Sequence, residues 1–467
     1  MPRWPAIVIL LFIWTLTTRG KFTVSGDEPH YLIISESLLA DGDLDVGNNY
    51  QQNDGRRFGA DGLTAGLHAR QTTDGRVWSV HDIGLPVLLV PLYGLATRAA
   101  GFAPPGVLAR FRQTPGLFAF SLISLMFTLL TVWAASLLLS GLRRVAPRHA
   151  AIVVLVLVLS PPVLSHAFLV FPETAAFAVT CAVVWLICLR DEELTIARVA
   201  MVAAGIGLLP WIHRKFSLFV FGLVVLILAR RYQWIGRQTR TAIITIGALA
   251  FLPQVALHLW TLWAWGNLGG PQMLDWVPFS FSGLLTGGSG MIADRERGLL
   301  AFAPIYLLAP ACWAVDWRRS QALIVPILAL LLPLAAFVTW TGGFSPAARF
   351  IVPVTPFLAL PAVWALDLPI VRWCAIPLGL FQLVIALFAW WHPRDLWPRE
   401  LGTNQLLEKI PIVGPLYERC LPSIATGDSP IRGWIVIAVV LVVSSAIVIA
   451  ARRPGELSGR SNTRVPS

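Results

Sequence analysis

Gly84-Leu85-Pro86-Val87-Leu88-Leu89-Val90-Pro91-Leu92-Tyr93-Gly94-Leu95-Ala96-Thr97-Arg98-Ala99-Ala100 is one of thirteen apolar runs in a chain of 467 residues. Whether it crosses a bilayer sets the orientation of every run after it. The others lie near 4–18, 114–141, 150–170, 174–190, 196–212, 216–230, 241–263, 298–315, 321–340, 350–366, 371–391 and 433–451. If 84–100 spans, the basic turn holding Arg143, Arg144 and Arg148, the run from Arg230 to Arg237, and Arg452-Arg453 all face outward. That contradicts the retention of Lys and Arg on the cytoplasmic side. Its Gly84-Leu85-Pro86 opening, with Pro91 and Tyr93, suits a helix lying in the interface. The reading is then an all-α polytopic membrane protein with about 12 transmembrane helices (range 11–13) and both termini inside. The cytoplasmic side carries 17 Lys and Arg against 6 Asp and Glu, and the outer side 19 against 19.

Composition agrees. Hydrophobic residues make up 56% of the chain and charged residues only 13%, where soluble domains run near 25%. The net charge of +11 reads as cytoplasmic retention signals; no basic patch interleaved with aromatics supports nucleic-acid binding. Five cysteines without a CxxC pair or a ligand-like Cys/His spacing indicate neither a disulfide framework nor a structural zinc site. The run 4–18 carries Trp4, Phe12 and Trp14 and no small-residue cleavage site, so it reads as a retained first helix and not a signal peptide. One transmembrane domain is expected over 1–451. Its polar mass lies in outer segments 19–113, 264–297 and 392–432 and in a short turn at 341–348. A disordered cytoplasmic tail is expected at 452–467.

Within the first outer segment, Ser25-Gly26-Asp27-Glu28-Pro29-His30-Tyr31 places two adjacent carboxylates beside a membrane exit, where charge is costly. Pro29 fits a first helical turn, and Ile34, Leu38 and Leu39 give the helix an apolar face over interfacial juxtamembrane ground. Asp27 can be an N-cap or a catalytic group; capping needs one such residue, not a pair. Asp41, Asp43 and Asp45 start like a calcium loop, but Val46 stands at the glycine position and no Glu follows, so a solvated turn is favoured. His81-Asp82, Phe171-Pro172-Glu173 and His213-Arg214-Lys215 each put polar groups at the outer surface, where anchoring residues are common. Asp294-Arg295-Glu296-Arg297 is read as a cluster of local salt bridges. Gly342-Gly343 and Pro346 form a tight turn ending on Arg349, a residue suited to clamping a phosphate.

These motifs resemble those of the GT-C superfamily of membrane glycosyltransferases, specifically the bacterial protein-mannosyltransferase and aminoarabinose-transferase type. The resemblance covers about residues 1–370 and is carried by Gly26–Tyr31, Gly84-Leu85-Pro86, Leu142-Arg143-Arg144, Phe171-Pro172-Glu173, Asp294–Gly298 with Ala303-Pro304, and Trp340–Arg349. It implies an inverting transferase that takes a sugar from a polyprenyl-phosphate carrier on the outer face of a bacterial inner membrane. The acceptor would be an envelope glycan, lipid or protein. Asp27 would be the base, with Glu28 as the neighbour able to share that role. Phosphate and substrate contacts would come from His30, His81, Glu173, His213, Arg214, Lys215, Arg297 and Arg349. The resemblance implies no assured cofactor and leaves a divalent metal open; no metal-ligand set is assigned. The rivals are a transporter or lipid-linked-sugar flippase, which paired broken helices would favour, and an inactive envelope scaffold.

Overall fold

The computed structural model describes residues 4–21, 24–271, 280–399, 401–411 and 413–451. The expected tail at 452–467 lies outside them. Each of the thirteen apolar runs contains helix, the run 298–315 only in short pieces. The longer helices are α1 Trp4–Lys21, α2 Glu28–Ala40 in the first loop, α3 Gly84–Gly101, α4 Pro115–Val145, α5 Ala150–Val158, α6 Pro172–Cys188, α7 Ile196–Ile212, α8 Ser217–Gly236, α9 Arg240–Trp265, α10 Phe281–Ala293, α11 Ile324–Ala335, α12 Thr355–Ala365, α13 Pro369–Trp391 and α14 Pro430–Ala451, of which α2 and α10 lie outside the runs. Among the described residues the sole sheet is a two-stranded hairpin, β1 Ala69–Gln71 and β2 Val77–Ser79, in the first loop.

The helix ends follow local chemistry. Thr114, Thr195 and Thr239 accept from the backbone N–H three residues on, at 3.2 Å in each case. Pro115, Pro172 and Pro369 sit in first turns, where their missing N–H costs nothing. Proline also explains why three apolar runs are not single helices. The run 150–170 breaks after α5 at Ser160-Pro161-Pro162 and resumes as a short turn, Val163–His166. The run 298–315 divides into Leu299–Phe302, Pro304–Leu308 and Ala309–Val315. The run 350–366 begins as a 3-10 turn, Arg349–Val354, before α12.

Among the described residues, seven helices are long and apolar enough to cross a membrane, Gly84–Gly101 among them, and five shorter apolar helices accompany them. α4 packs along α6, close enough that a side chain on Gly141 would press into the backbone of Trp185. α2 and α3 lie side by side: Ser35 Oγ donates to the carbonyl of Pro86 at 3.0 Å, and Leu39 covers Gly94. Halfway along α3, Tyr93 still meets Phe58 of the first loop edge-on at 6.1 Å. The carboxylates of the 41–45 segment are taken up by its own turns. Asp41 accepts from Asn48 and Asn49, Asp43 from Ser37 and the Asp45 N–H, and Asp45 from the Gly47 and Val77 N–H groups.

Candidate functional site

Gly26 starts the site. Its φ of +54° is one that L side chains avoid, and a Cβ there would overlap the carbonyl oxygen of Phe344. The first loop therefore rests directly on the Gly342–Ser345 turn. That turn has left-handed backbone at Gly342 (+83°) and Gly343 (+66°), as does Ala348 (+57°) beyond it. Arg297 holds it from behind, donating from Nη1 to the carbonyls of Thr341 at 3.2 Å and Gly343 at 2.5 Å and accepting on its own carbonyl from the Ala348 N–H at 3.0 Å.

Asp27 is the N-cap residue of α2, yet its side chain caps nothing. Its Oδ2 accepts from Arg349 Nη2 at 2.9 Å. Arg349 reaches further, from Nε to Glu173 Oε1 at 2.7 Å and from Nη1 to the Gly342 carbonyl at 3.0 Å, and its guanidinium lies over the Phe171 ring at 4.1 Å. Lys215 Nζ donates to the same Glu173 oxygen at 2.5 Å. Glu173, in the first turn of α6, is fully buried, and its Oε2 has no hydrogen-bond partner among the described residues. Asp27 is the open end of this chain of charges, with a quarter of its side chain exposed against 6% for Arg349 and none for Glu173. Burial pulls the Asp27 carboxyl up, but the Arg349 guanidinium, His81 and His68 together outweigh it and hold it well below the usual carboxylate range.

A histidine cluster adjoins Asp27. The hairpin register pairs Ala69 with Ser79, and Val80 N–H donates to the His68 carbonyl at 2.9 Å, so His68 and His81 meet at its open end. His68 Nδ1 lies 2.9 Å from His81 Nε2. The His30 ring stacks on His68 at 3.6 Å and hydrogen-bonds Tyr50 through Nδ1 at 2.8 Å. Burial lowers His81 to about 4. Burial, then His68 and His81, lowers His30 to about 3. One ligand atom from each of Asp27, His68 and His81 lies within 4.8 Å of the others.

The sequence candidates thus divide. Asp27, His30, His81, Glu173, Lys215 and Arg349 converge. His213 stands beside them, with Nδ1 3.8 Å from Asp82 and accepting from the Lys215 N–H at 3.2 Å. Arg214 is committed to buried Asp82, donating from its N–H at 2.8 Å, Nε at 3.0 Å and Nη2 at 2.6 Å. Glu28 turns the other way. Arg19 grips it in bidentate fashion at 3.0 and 2.5 Å, and Ser25 and the Val170 N–H complete its shell, with both charged side chains fully buried. The charges at 294–297 hold backbone and a further carboxylate, with Arg295 Nη2 3.7 Å from Asp428 Oδ2. Asp294 accepts from the Arg297 and Ala425 N–H groups and Glu296 from those of Leu401 and Thr403, while Arg295 donates to the Leu421 carbonyl. Sequence reading passed over His68, which is 41 positions from Asp27 and is brought to it only by the hairpin.

No protein-family model matches the chain, and no curated protein matches it. Two solved structures do, both crystal structures of ArnT from Cupriavidus metallidurans. The one bound to undecaprenyl phosphate is 15% identical, with 96% of this chain and 76% of that one covered and a TM-score of 0.48. The apo one is 17% identical, with 95% and 76% covered and a TM-score of 0.45.

Proposed function

We propose that this chain is an integral-membrane glycosyltransferase that moves a sugar from a polyprenyl-phosphate carrier to an acceptor hydroxyl, with inversion and with Asp27 as base. The observation that carries the reading is the bridge made by Arg349, one guanidinium holding a partly open carboxylate on one side and a buried one on the other. Attack on an anomeric carbon needs a base within hydrogen-bond reach of the hydroxyl. A departing phosphate needs positive charge, and a single displacement needs one carboxylate, not a nucleophile and acid pair. As the acceptor oxygen bonds to the anomeric carbon, the carbon–oxygen bond to phosphate breaks, its electron pair stays with the phosphate, and the acceptor proton passes to Asp27.

Arg349 paired to Asp27 keeps that carboxylate charged but a weak base. An arriving phosphate would draw Arg349 and Lys215 toward itself, loosening the hold on Asp27 and raising its basicity once the donor is in place. His30, His81 and His213 would border the sugar and phosphate, and Glu173 Oε2 would take a hydroxyl. Arg297 would act by holding the turn, Arg214 by holding Asp82, and Glu28 by fixing the helix that starts at Asp27. Under this reading α3 lies in the interface, the site faces the periplasmic or extracellular side of the bacterial inner membrane, and the acceptor is an envelope glycan, lipid or protein.

The test is sugar transfer in membranes supplied with a polyprenyl-phosphate sugar. Asp27→Asn should abolish turnover. Full activity in that variant would end the assignment, and donor movement across the bilayer without transfer would favour a flippase.

A further inference from the structure

The geometry points to a divalent-metal site of the zinc type made by Asp27, His68 and His81. Two imidazoles and one carboxylate suit a borderline first-row cation better than magnesium or calcium, which prefer oxygen shells. The three ligand atoms lie within 4.8 Å of one another. Around zinc, with bonds of about 2.0–2.1 Å, tetrahedral neighbours stand roughly 3.3 Å apart, so modest side-chain rotation closes the set. Arg349 engages one oxygen of Asp27 at 2.9 Å and leaves the other to offer.

Each ligand is held from outside the set, as metal ligands usually are. His68 lies against His30, which Tyr50 fixes at 2.8 Å. His81 is followed by Asp82, pinned by Arg214 at 2.6 Å. Asp27 rests on the Gly26–Phe344 contact. The competing account is a plain imidazole–imidazole hydrogen bond, His68 Nδ1 to His81 Nε2 at 2.9 Å. That bond explains why two histidines meet. It does not explain why a partly open carboxylate from another segment converges on them. With three protein ligands a fourth position stays open, as in zinc sites that bind water or substrate oxygen. The site is independent of the transferase reading, although it shares Asp27 with it.

The experiment uses tag-free full-length protein in detergent, stripped with a chelator, reloaded with Zn2+ alone and desalted. Elemental analysis should find one zinc per chain, and Co2+ loading should give visible ligand-field absorption. The double variant His68→Ala/His81→Ala should retain no zinc while keeping the helical circular dichroism and elution volume of the parent. Should it fail to fold, Asp27→Asn, which removes no volume, should bind Zn2+ at least about 10-fold more weakly, the lower limit for losing even a supporting partner. Zinc lost from the parent on desalting, a featureless cobalt spectrum, or undiminished zinc in the variants would overturn the site. Zinc lost on desalting from a protein that still shows Asp27-dependent transfer would end the metal site and leave the transferase. Stoichiometric zinc without any transfer would do the reverse.

Discussion

Arg349 and Asp27 are 322 positions apart and joined by a 2.9 Å hydrogen bond, with the same guanidinium donating to Glu173 at 2.7 Å. Arg349→Ala leaves Glu173 with Lys215 alone and frees Asp27. Removing one member of a buried charge pair costs about 3–5 kcal/mol, and losing one preorganised donor typically costs about 100–1,000-fold in rate. Transfer should therefore fall about 100-fold or more. Arg349→Lys should recover little, because an ammonium lacks the planar fork that meets two carboxylates at once. Initial rates on a polyprenyl-phosphate sugar, normalised to folded protein, decide it. A loss under threefold in Arg349→Ala would remove Arg349 from the chemistry.

The adjacent carboxylates should separate by what they disturb. Glu28 is fully buried with Arg19 at 2.5 and 3.0 Å, so Glu28→Gln should destabilise the fold by about 3–5 kcal/mol. Asp27, partly open, should tolerate Asn in thermal unfolding while transfer falls about 100–10,000-fold, the span of general-base contributions. Unfolding temperature in detergent and turnover, measured on both variants, give the crossed pattern. A stable but inactive Glu28→Gln beside an active Asp27→Asn would move the base to Glu28.

Sequence could reach the apolar runs because helix in a membrane needs only length and hydrophobicity, and each of the thirteen contains helix. The paired prolines at 161 and 162 mark the break at 159–162 in the sequence itself, whereas the lone Pro304 marks its break no better than Pro210 and Pro253, which sit inside helices. In the site, Asp27 and Arg349 stood out as costly charges at membrane ends. Glu28 looked able to share the role of Asp27, because nothing local reveals that Arg19 turns to meet it. His68 has no spacing signal at all; a two-stranded hairpin carries it there. The four charges at 294–297 look self-paired in sequence, while Asp294, Arg295 and Glu296 also meet backbone groups more than a hundred residues on and Arg297 meets the carbonyls of Thr341 and Gly343.

Two glycines with similar backbone give an internal control. Gly26 (φ +54°) sits under the Phe344 carbonyl, whereas Gly42 (φ +77°) has nothing within 4 Å of a built Cβ. Alanine in left-handed backbone costs roughly 1–2 kcal/mol at either place. Only at position 26 must the loop also move off the turn and carry Asp27 with it. Gly26→Ala should lose most transfer activity, and Gly42→Ala should keep it with a similar small drop in unfolding temperature. Equal activity in the two would show that the Gly26–Phe344 contact does not place Asp27.

Acid should destabilise the fold in part through His213. Burial, then the charges of Lys215 and Arg349, hold His213 well below its ordinary range, against the opposing pull of Asp27. Asp82, whose Oδ2 lies 3.8 Å from Nδ1, is committed to Arg214. In the unfolded chain the same imidazole takes up a proton near 6.5. Below that pH the unfolded state holds one more proton than the folded state at this site, so folding stability rises with pH and falls as the solution is acidified. The slope from one such group is about 1.4 kcal/mol per pH unit, and it persists downward until the folded imidazole itself protonates. His213→Gln removes the titration while keeping a polar side chain of similar reach. Denaturant unfolding in detergent at steps from pH 7.5 to pH 5 should give a shallower loss of stability in the variant, by about that slope, with the curves converging above pH 7. Parallel curves for the two proteins would mean that His213 is protonated to the same extent folded and unfolded, and that the cationic neighbourhood of Lys215 and Arg349 does not reach it.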